Sequence, residues 1–542
     1  MKKKILENIK HVLLELNYSI EKLNVQKTKN PNHGDYSCNI AMILAKQLGE
    51  PPAKIAKKII SELEKVYPEN FSSIQIAGPG FINFKIQNNL LFSELKNIIK
   101  KNKKFGQTNI GCGKKALVEF VSANPTGPLT IGHGRGAILG DTVSNLLKWN
   151  GYKVEREYYF NNAGKQMDRL GLSVYLRYCE LLNQSIDFPE ECYQGDYIYN
   201  IAQLLVDKYD NELLDDQHNL LFKSTAENNI FNDIKNTLNK LGIKFDNFFN
   251  EDSLYKNKAI YKVIDDLKEK GLIYEKDNAT WFAGSNIGRN SDRVLIKSTG
   301  EPTYRLPDIA YHKNKFNRDF DLIIDVFGAD HMDAYPDVMA AIEQLDCDVN
   351  KMKVLIHQFA TVSEDGESVK MSTRKANFIT LDELLEEVGK DVVRYFFLMR
   401  GMNTHLNFDI NIAKSESDEN PVFYLQYAYA RICNIINKAT ELNYNANDVK
   451  LSLLTTDIEL EIINSLISFP DCIEEVTNKL EPQIIINYLQ NIALKFHRFY
   501  SKNKVITDNK ELTNARLLLI KAIQIVLRNG LDIIGISHPE RM

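Results

Sequence analysis

Between residues 116 and 141 an apolar run, ALVEFV, leads into the Pro- and Gly-rich segment SANPTGPLT, and IGHGRGAILGD follows. The apolar run predicts a buried strand over 116–121, and the glycine run predicts a helix starting near His133. A strand, a tight turn and a glycine-rich helix start leave few folds open; they call for a parallel α/β sheet with a helix N-terminus at its open end. Backbone N–H groups at such an end attract anions, and glycine lets a ligand approach the main chain. Gly127, Gly132, Gly134 and Gly136 supply space, and His133 and Arg135 can donate to phosphate oxygens. A dinucleotide turn fits less well, because Gly132-His-Gly134 matches only a GxG and no ribose carboxylate is well placed about 20 residues on.

A second segment points the same way. Residues 369–374 read VKMSTR after a Gly-containing loop, SEDGES, at 363–368. A lysine beside hydroxyl groups, Lys370 next to Ser372, can stabilise charge developing on a leaving pyrophosphate. Alone the tetrad also suits an exposed basic loop. With the first motif, in this order, it indicates ATP chemistry.

The 542-residue length allows several domains, each with its own core. Residues 1–100 carry helical periodicity at 5–16, 41–48 and 52–64, and two strands around Gly78-Pro-Gly80, an α+β module. Residues 100–115, rich in Lys, Asn and Gly, suit a linker. Strand and helix signals alternate over 101–380, with strands expected at 116–121, 321–327 and 354–362 and a helical insertion over about 164–240. From 381 to 542 only helices are expected, a bundle. The expected class is therefore α/β, a Rossmann-like domain between an N-terminal α+β module and a C-terminal all-helical bundle.

Composition excludes several functions. A net charge of -4 argues against a generic nucleic-acid coat, so any RNA contact must come from local basic patches. Seven cysteines without a CxxC pair suit a reducing cytoplasm and give no zinc or disulfide framework. No apolar run is long enough for a membrane span, and charge interrupts the first residues, MKKKILE, too soon for a signal peptide.

The paired motifs resemble the HIGH and KMSKS signatures of class I aminoacyl-tRNA synthetases, and their surroundings resemble the arginyl-tRNA synthetase family. The resemblance rests on 119–128 (EFVSANPTGP), 161–164 (NNAG), 173–177 (SVYLR), 195–198 (GDYI), 301–304 (EPTY), 308–312 (DIAYH) and 328–331 (GADH). It continues in the tail at 420–424 (NPVFY), 496–500 (FHRFY) and the terminal PERM, so it covers essentially the whole chain. One departure is that Thr130 stands where the first His of HIGH is usual; a hydroxyl still donates but cannot be cationic.

The resemblance implies roles. Thr130, His133 and Lys370 would be catalytic, with Gly132, Gly134, Gly328, Asp330, Met371 and Ser372 also at ATP. Tyr304 and Asp308 would line a guanidinium pocket, and Glu119, Ser122 and Asn124 would hold the amino-acid end of arginine. Lys54, Lys57 and Lys58 on the first module, and Arg498, Tyr500 and Met542 in the tail, would meet tRNA, although aromatics at helical spacing are more often core. The expected activity is arginyl-tRNA synthesis from L-arginine, Mg²⁺-bound ATP and tRNA(Arg), by a cytoplasmic monomer without structural metal. The alternatives are a non-catalytic tRNA-binding relative, or a nucleotidyl-transferring enzyme without RNA, which would not need the helical tail.

Overall fold

The computed structural model describes residues 1–28, 30, 33–368, 379–417, 419–444 and 449–542. Its centre is a five-stranded parallel sheet built from β1 (Lys115–Glu119), β2 (Lys153–Phe160), β3 (Asn247–Asn250), β4 (Leu322–Gly328) and β5 (Met352–His357). The spatial order is β5-β4-β1-β2-β3, so strand order reverses between β1 and β4. Ligands of open α/β sheets bind at that reversal, beyond the strand C-termini. Ala116, Leu117 and Val118 of β1 are all buried, as suits a strand covered on both faces.

Helix α1 (Ile131–Trp149) follows β1 and is buried on nearly every side. It starts two residues before the expected His133, because Thr130 closes a capping box with His133. Gly140 lets α1 lie directly on Phe120: a methyl group there would meet Phe120 Cγ at 2.2 Å and Cβ at 2.4 Å. Phe120 is fully buried against Phe245 and cannot retreat. Gly140→Ala should therefore cost about 2 kcal/mol of stability by overpacking. An unchanged urea midpoint would contradict that reading.

Helices Lys165–Leu181, Asp196–Tyr209 and Leu220–Lys240 form the expected insertion. A small antiparallel sheet, Ile273–Lys276, Ala279–Phe282 and Arg293–Ile296, precedes α2 (Arg305–Phe316), and α3 (Tyr335–Gln344) connects β4 to β5. The N-terminal module is a four-stranded antiparallel sheet with three helices. Helix Asn88–Lys101 leaves that module to pack on the C-terminal helices Asp457–Ile467 and Lys510–Ile534. Asn529 there donates to the carbonyls of Asn102 (2.9 Å) and Phe105 (3.0 Å), so part of the expected linker is anchored.

Two expectations need correction. Residues 354–362 are not one strand: β5 ends at His357, and Ala360–Glu364 belongs to another sheet. Residues after 381 are not only helical, since Leu406–Asp409 pairs in parallel with Ala360–Glu364 before the helical bundle begins. Among the described residues no helix is long and apolar enough to cross a membrane.

Candidate active site

A cavity of about 860 Å³ opens at the strand reversal. Thr130, Gly132 and His133 from the start of α1 line it, and Gly328 and Asp330 lie beyond β4. Ser122, Asn124, Tyr304 and Asp308 line one end, and His357 and Phe359 the other. Residues as far apart in sequence as Ser122 and Phe359 thus share one space.

The start of α1 sets the state of His133. The Thr130 N–H donates to His133 Nδ1 at 3.1 Å, and the Thr130 hydroxyl lies 3.1 Å from the same nitrogen. With Nδ1 accepting, the proton sits on Nε2, which becomes the ring's free donor. Burial lowers the His133 pKa, while Asp330 opposes the shift, so the ring is held neutral. The first turn also leaves the N–H groups of Ile131 and Gly132 without an intrahelical acceptor. Thr130 itself serves as the helix cap; its hydroxyl is engaged with His133 and does not stand free for phosphate.

Other expected ATP residues differ. Gly134 does not line the cavity: its N–H donates to the Thr130 carbonyl at 3.0 Å. A methyl group there would meet Leu381 Cδ1 at 2.6 Å, so packing explains this glycine. Gly136 does face the cavity, with His357 Nε2 2.9 Å from where its Cβ would stand. Arg135 is fully buried and donates to the carbonyls of Gln358 (2.6 Å) and Gly401 (3.0 Å), so it is unavailable to phosphate. Gly328 lies beside Asp330, whose Oδ1 folds back to 2.5 Å from the position a Cβ would take. Lys370, Met371 and Ser372 lie outside the described residues.

The other end is acidic. Asp308 opens onto the cavity, and among the described residues no side-chain donor or cation bonds its carboxylate. Burial, with Glu119 and Glu251 adding negative charge nearby, pushes its pKa up to about 7 against the pull of His312 and Lys315. Tyr304, mostly exposed, sits at the rim with the Arg305 guanidinium 4.9 Å from its ring centre. Tyr159, Asn161 and His312 line the same end; Asn161 and His312 fall in the NNAG and DIAYH segments but carry no expected role, and Tyr159 lies in no such segment. Asn124 Nδ2 donates to Gln166 at 2.8 Å.

Glu119 lies in the cavity and is already engaged within the protein. It lines the cavity but is 3% exposed, with one carboxylate oxygen held by Lys315 Nζ and the other accepting from Ser122 Oγ at 2.7 Å. Both its oxygens already have partners within the protein.

The expected RNA-facing side chains are dispersed. Lys54 and Lys58 both reach Glu50, at 3.6 and 3.0 Å, while Lys57 is exposed. Arg498 and Tyr500 are exposed on helix Gln483–Lys502, whereas Phe496 and Phe499 of the same helix are core. Met542 is also exposed.

Three family descriptions fit successive stretches of the chain. Residues 1–86 match the arginyl tRNA synthetase N terminal domain, 94–397 the catalytic domain of class I (R) tRNA synthetases, and 425–542 the DALR anticodon binding domain. An arginine–tRNA ligase of Desulfotalea psychrophila is 48% identical over 96% of this chain and 95% of its own. One from Chlorobium phaeobacteroides is 45% identical over 100% of both. The solved arginyl-tRNA synthetase of Thermus thermophilus shares the fold, with TM-score 0.79 and 21% identity over 100% of both chains. With the strand-reversal cavity on a chain matched from end to end, one assignment is left: the protein belongs to the arginyl-tRNA synthetase family of class I aminoacyl-tRNA synthetases.

Proposed function

We propose that this cavity holds arginine and ATP end to end, with the guanidinium against Asp308 and the triphosphate at the start of α1. The observation that supports it most is Asp308, a desolvated carboxylate with no cation bonded to it among the described residues, in one cavity with His133. A guanidinium is always charged and presents a planar fork of donors, which suits a carboxylate beside a tyrosine. Lysine would leave one carboxylate oxygen unpaired and bind more weakly.

ATP enters as substrate with its Mg²⁺. The arginine carboxylate attacks the α-phosphorus, a C–O–P bond forms, and pyrophosphate leaves. A ribose hydroxyl at the tRNA 3′ end, the 2′-OH in class I resemblance, then takes the arginyl group and releases AMP. No covalent enzyme intermediate is needed; the protein positions the reactants and stabilises charge. His133 donates through Nε2 to a phosphate oxygen, Asp330 faces the ribose, and Lys370 meets the leaving pyrophosphate. The N-terminal module and the C-terminal helical bundle contact tRNA, and the enzyme works as a cytoplasmic monomer.

Purified protein should esterify tRNA with arginine alone when offered each standard amino acid. Charging of a different amino acid, or ATP–pyrophosphate exchange absent in the presence of tRNA and arginine, would overturn this reading.

A further inference from the structure

One residue lining the cavity, Glu119, belongs to a row of buried acids. Glu119 of β1 pairs across the sheet with Asp325 of β4 on one side and Glu157 of β2 on the other, so three carboxylates stand side by side on one face. All three are at most 3% exposed. Buried charges of one sign persist only when paired, and helix α2 supplies the partners. Arg318, just beyond α2, grips Glu157 with both terminal nitrogens, at 2.5 and 2.7 Å. Lys315 Nζ, 0% exposed, lies between Glu119 and Asp325, 2.7 Å from the latter. His312 Nε2 contacts Asp325 Oδ2 at 2.8 Å, and its Nδ1 contacts the Asp308 carbonyl at 2.7 Å. His312 therefore ties Asp325 to the first turn of α2.

This network ends at two segments that shape the arginine end. One is the turn after β1, where Val121 (φ 69°) and Ser122 (φ 43°) are left-handed. That region is unfavourable for a β-branched residue and persists only where the surroundings hold it. Ser122 is held by its bond to Glu119 and by the Tyr159 N–H, which donates to Ser122 Oγ at 3.1 Å. The other segment is the first turn of α2, with Asp308.

We propose that Lys315 is a positioning residue for arginine: through Glu119 it holds the strained Val121–Ser122 turn, and through Asp325 and His312 it holds the first turn of α2. One ammonium group thereby fixes the distance between the two halves of the arginine pocket without touching substrate. Arginine activation depends on that spacing because a misplacement on the order of 1 Å at a reacting group can cost about a hundredfold in rate. The inference rests on the placement of arginine against Asp308.

The test is pyrophosphate exchange by the full chain, with tRNA present, for Lys315→Met, Glu119→Gln and the double variant. In Lys315→Met the KM for arginine should rise about thirtyfold or more, while the KM for ATP stays within about threefold. The double variant should be no worse than the worse single variant, because both changes break one chain of contacts. A folded Lys315→Met with normal arginine KM, or parallel rises for arginine and ATP, would overturn the proposal. Should Lys315→Met show no cooperative unfolding, Glu119→Gln and the double variant decide. A match between them supports the proposal, and a further tenfold or greater loss in the double variant overturns it. If Asp308→Asn leaves the arginine KM unchanged, the placement of arginine itself is wrong; if only Lys315→Met is normal, this inference alone fails.

Discussion

Asp308→Asn should raise the KM for arginine about a hundredfold or more, on the order of 3 kcal/mol, while leaving the KM for ATP nearly unchanged. The asparagine keeps the shape but removes the charge that the guanidinium neutralises. A dependence on pH separates this charge effect from mere distortion. The Asp308 carboxyl of the arginine-free protein titrates near 7, so below that pH it holds a proton that must leave before arginine docks. The arginine KM of the parent protein should therefore rise about tenfold per unit as pH falls below about 7, and level off above it. The Asn variant should show a flat profile over the same range.

Stability should move in the opposite direction to activity. Asp308 has a folded pKa above its ordinary value of 3.8, so its contribution favours folding at low pH and is lost as pH rises through about 7. Near pH 8 the arginine-free protein carries a desolvated, unpaired charge. Removing it should stabilise the protein by on the order of 1–2 kcal/mol, as substitutions at strained functional sites often do. A variant that loses arginine affinity and also melts lower would identify Asp308 as a structural acid.

His133→Ala should reduce the rate of pyrophosphate exchange by about a hundred- to a thousandfold, the usual cost of losing one donor aimed at developing charge. The arginine KM should change little, because the donor acts on the triphosphate. The helix should remain, since Thr130 still caps it, although the His133 half of the capping box is gone. His133→Gln, which places an amide donor near the former Nε2, should recover part of the rate. Equal loss in both variants would mean that ring shape matters more than the donor.

Much of the site could be read from the chain because it rests on local patterns. The strand, turn and glycine helix around residue 130 follow from periodicity and backbone chemistry, and Asp308 and Tyr304 lie in one short segment. What escaped was tertiary. Arg135 sits beside His133 and has the right chemistry for phosphate, yet it points into the protein to satisfy two carbonyls. Gly134 looks like a phosphate glycine but makes room for Leu381. Glu119 carries no sign in sequence that a lysine 196 residues away will take up one of its oxygens. One trace was present: Asp308, His312 and Lys315 recur at helical spacing along one face, a pattern of charge more often seen on solvated helices. The misread strand over 354–362 has a similar cause. An apolar run reports burial, not the sheet that provides it, and here the chain changes sheets after His357.

The account depends on one ligand spanning the cavity from Asp308 to the start of α1. A crystal structure with a non-hydrolysable arginyl-adenylate analogue tests that most directly. The predicted result has the guanidinium within hydrogen-bond distance of the Asp308 carboxylate and a phosphate oxygen within reach of His133 Nε2. A guanidinium bound elsewhere, with Asp308 facing only water, would contradict it.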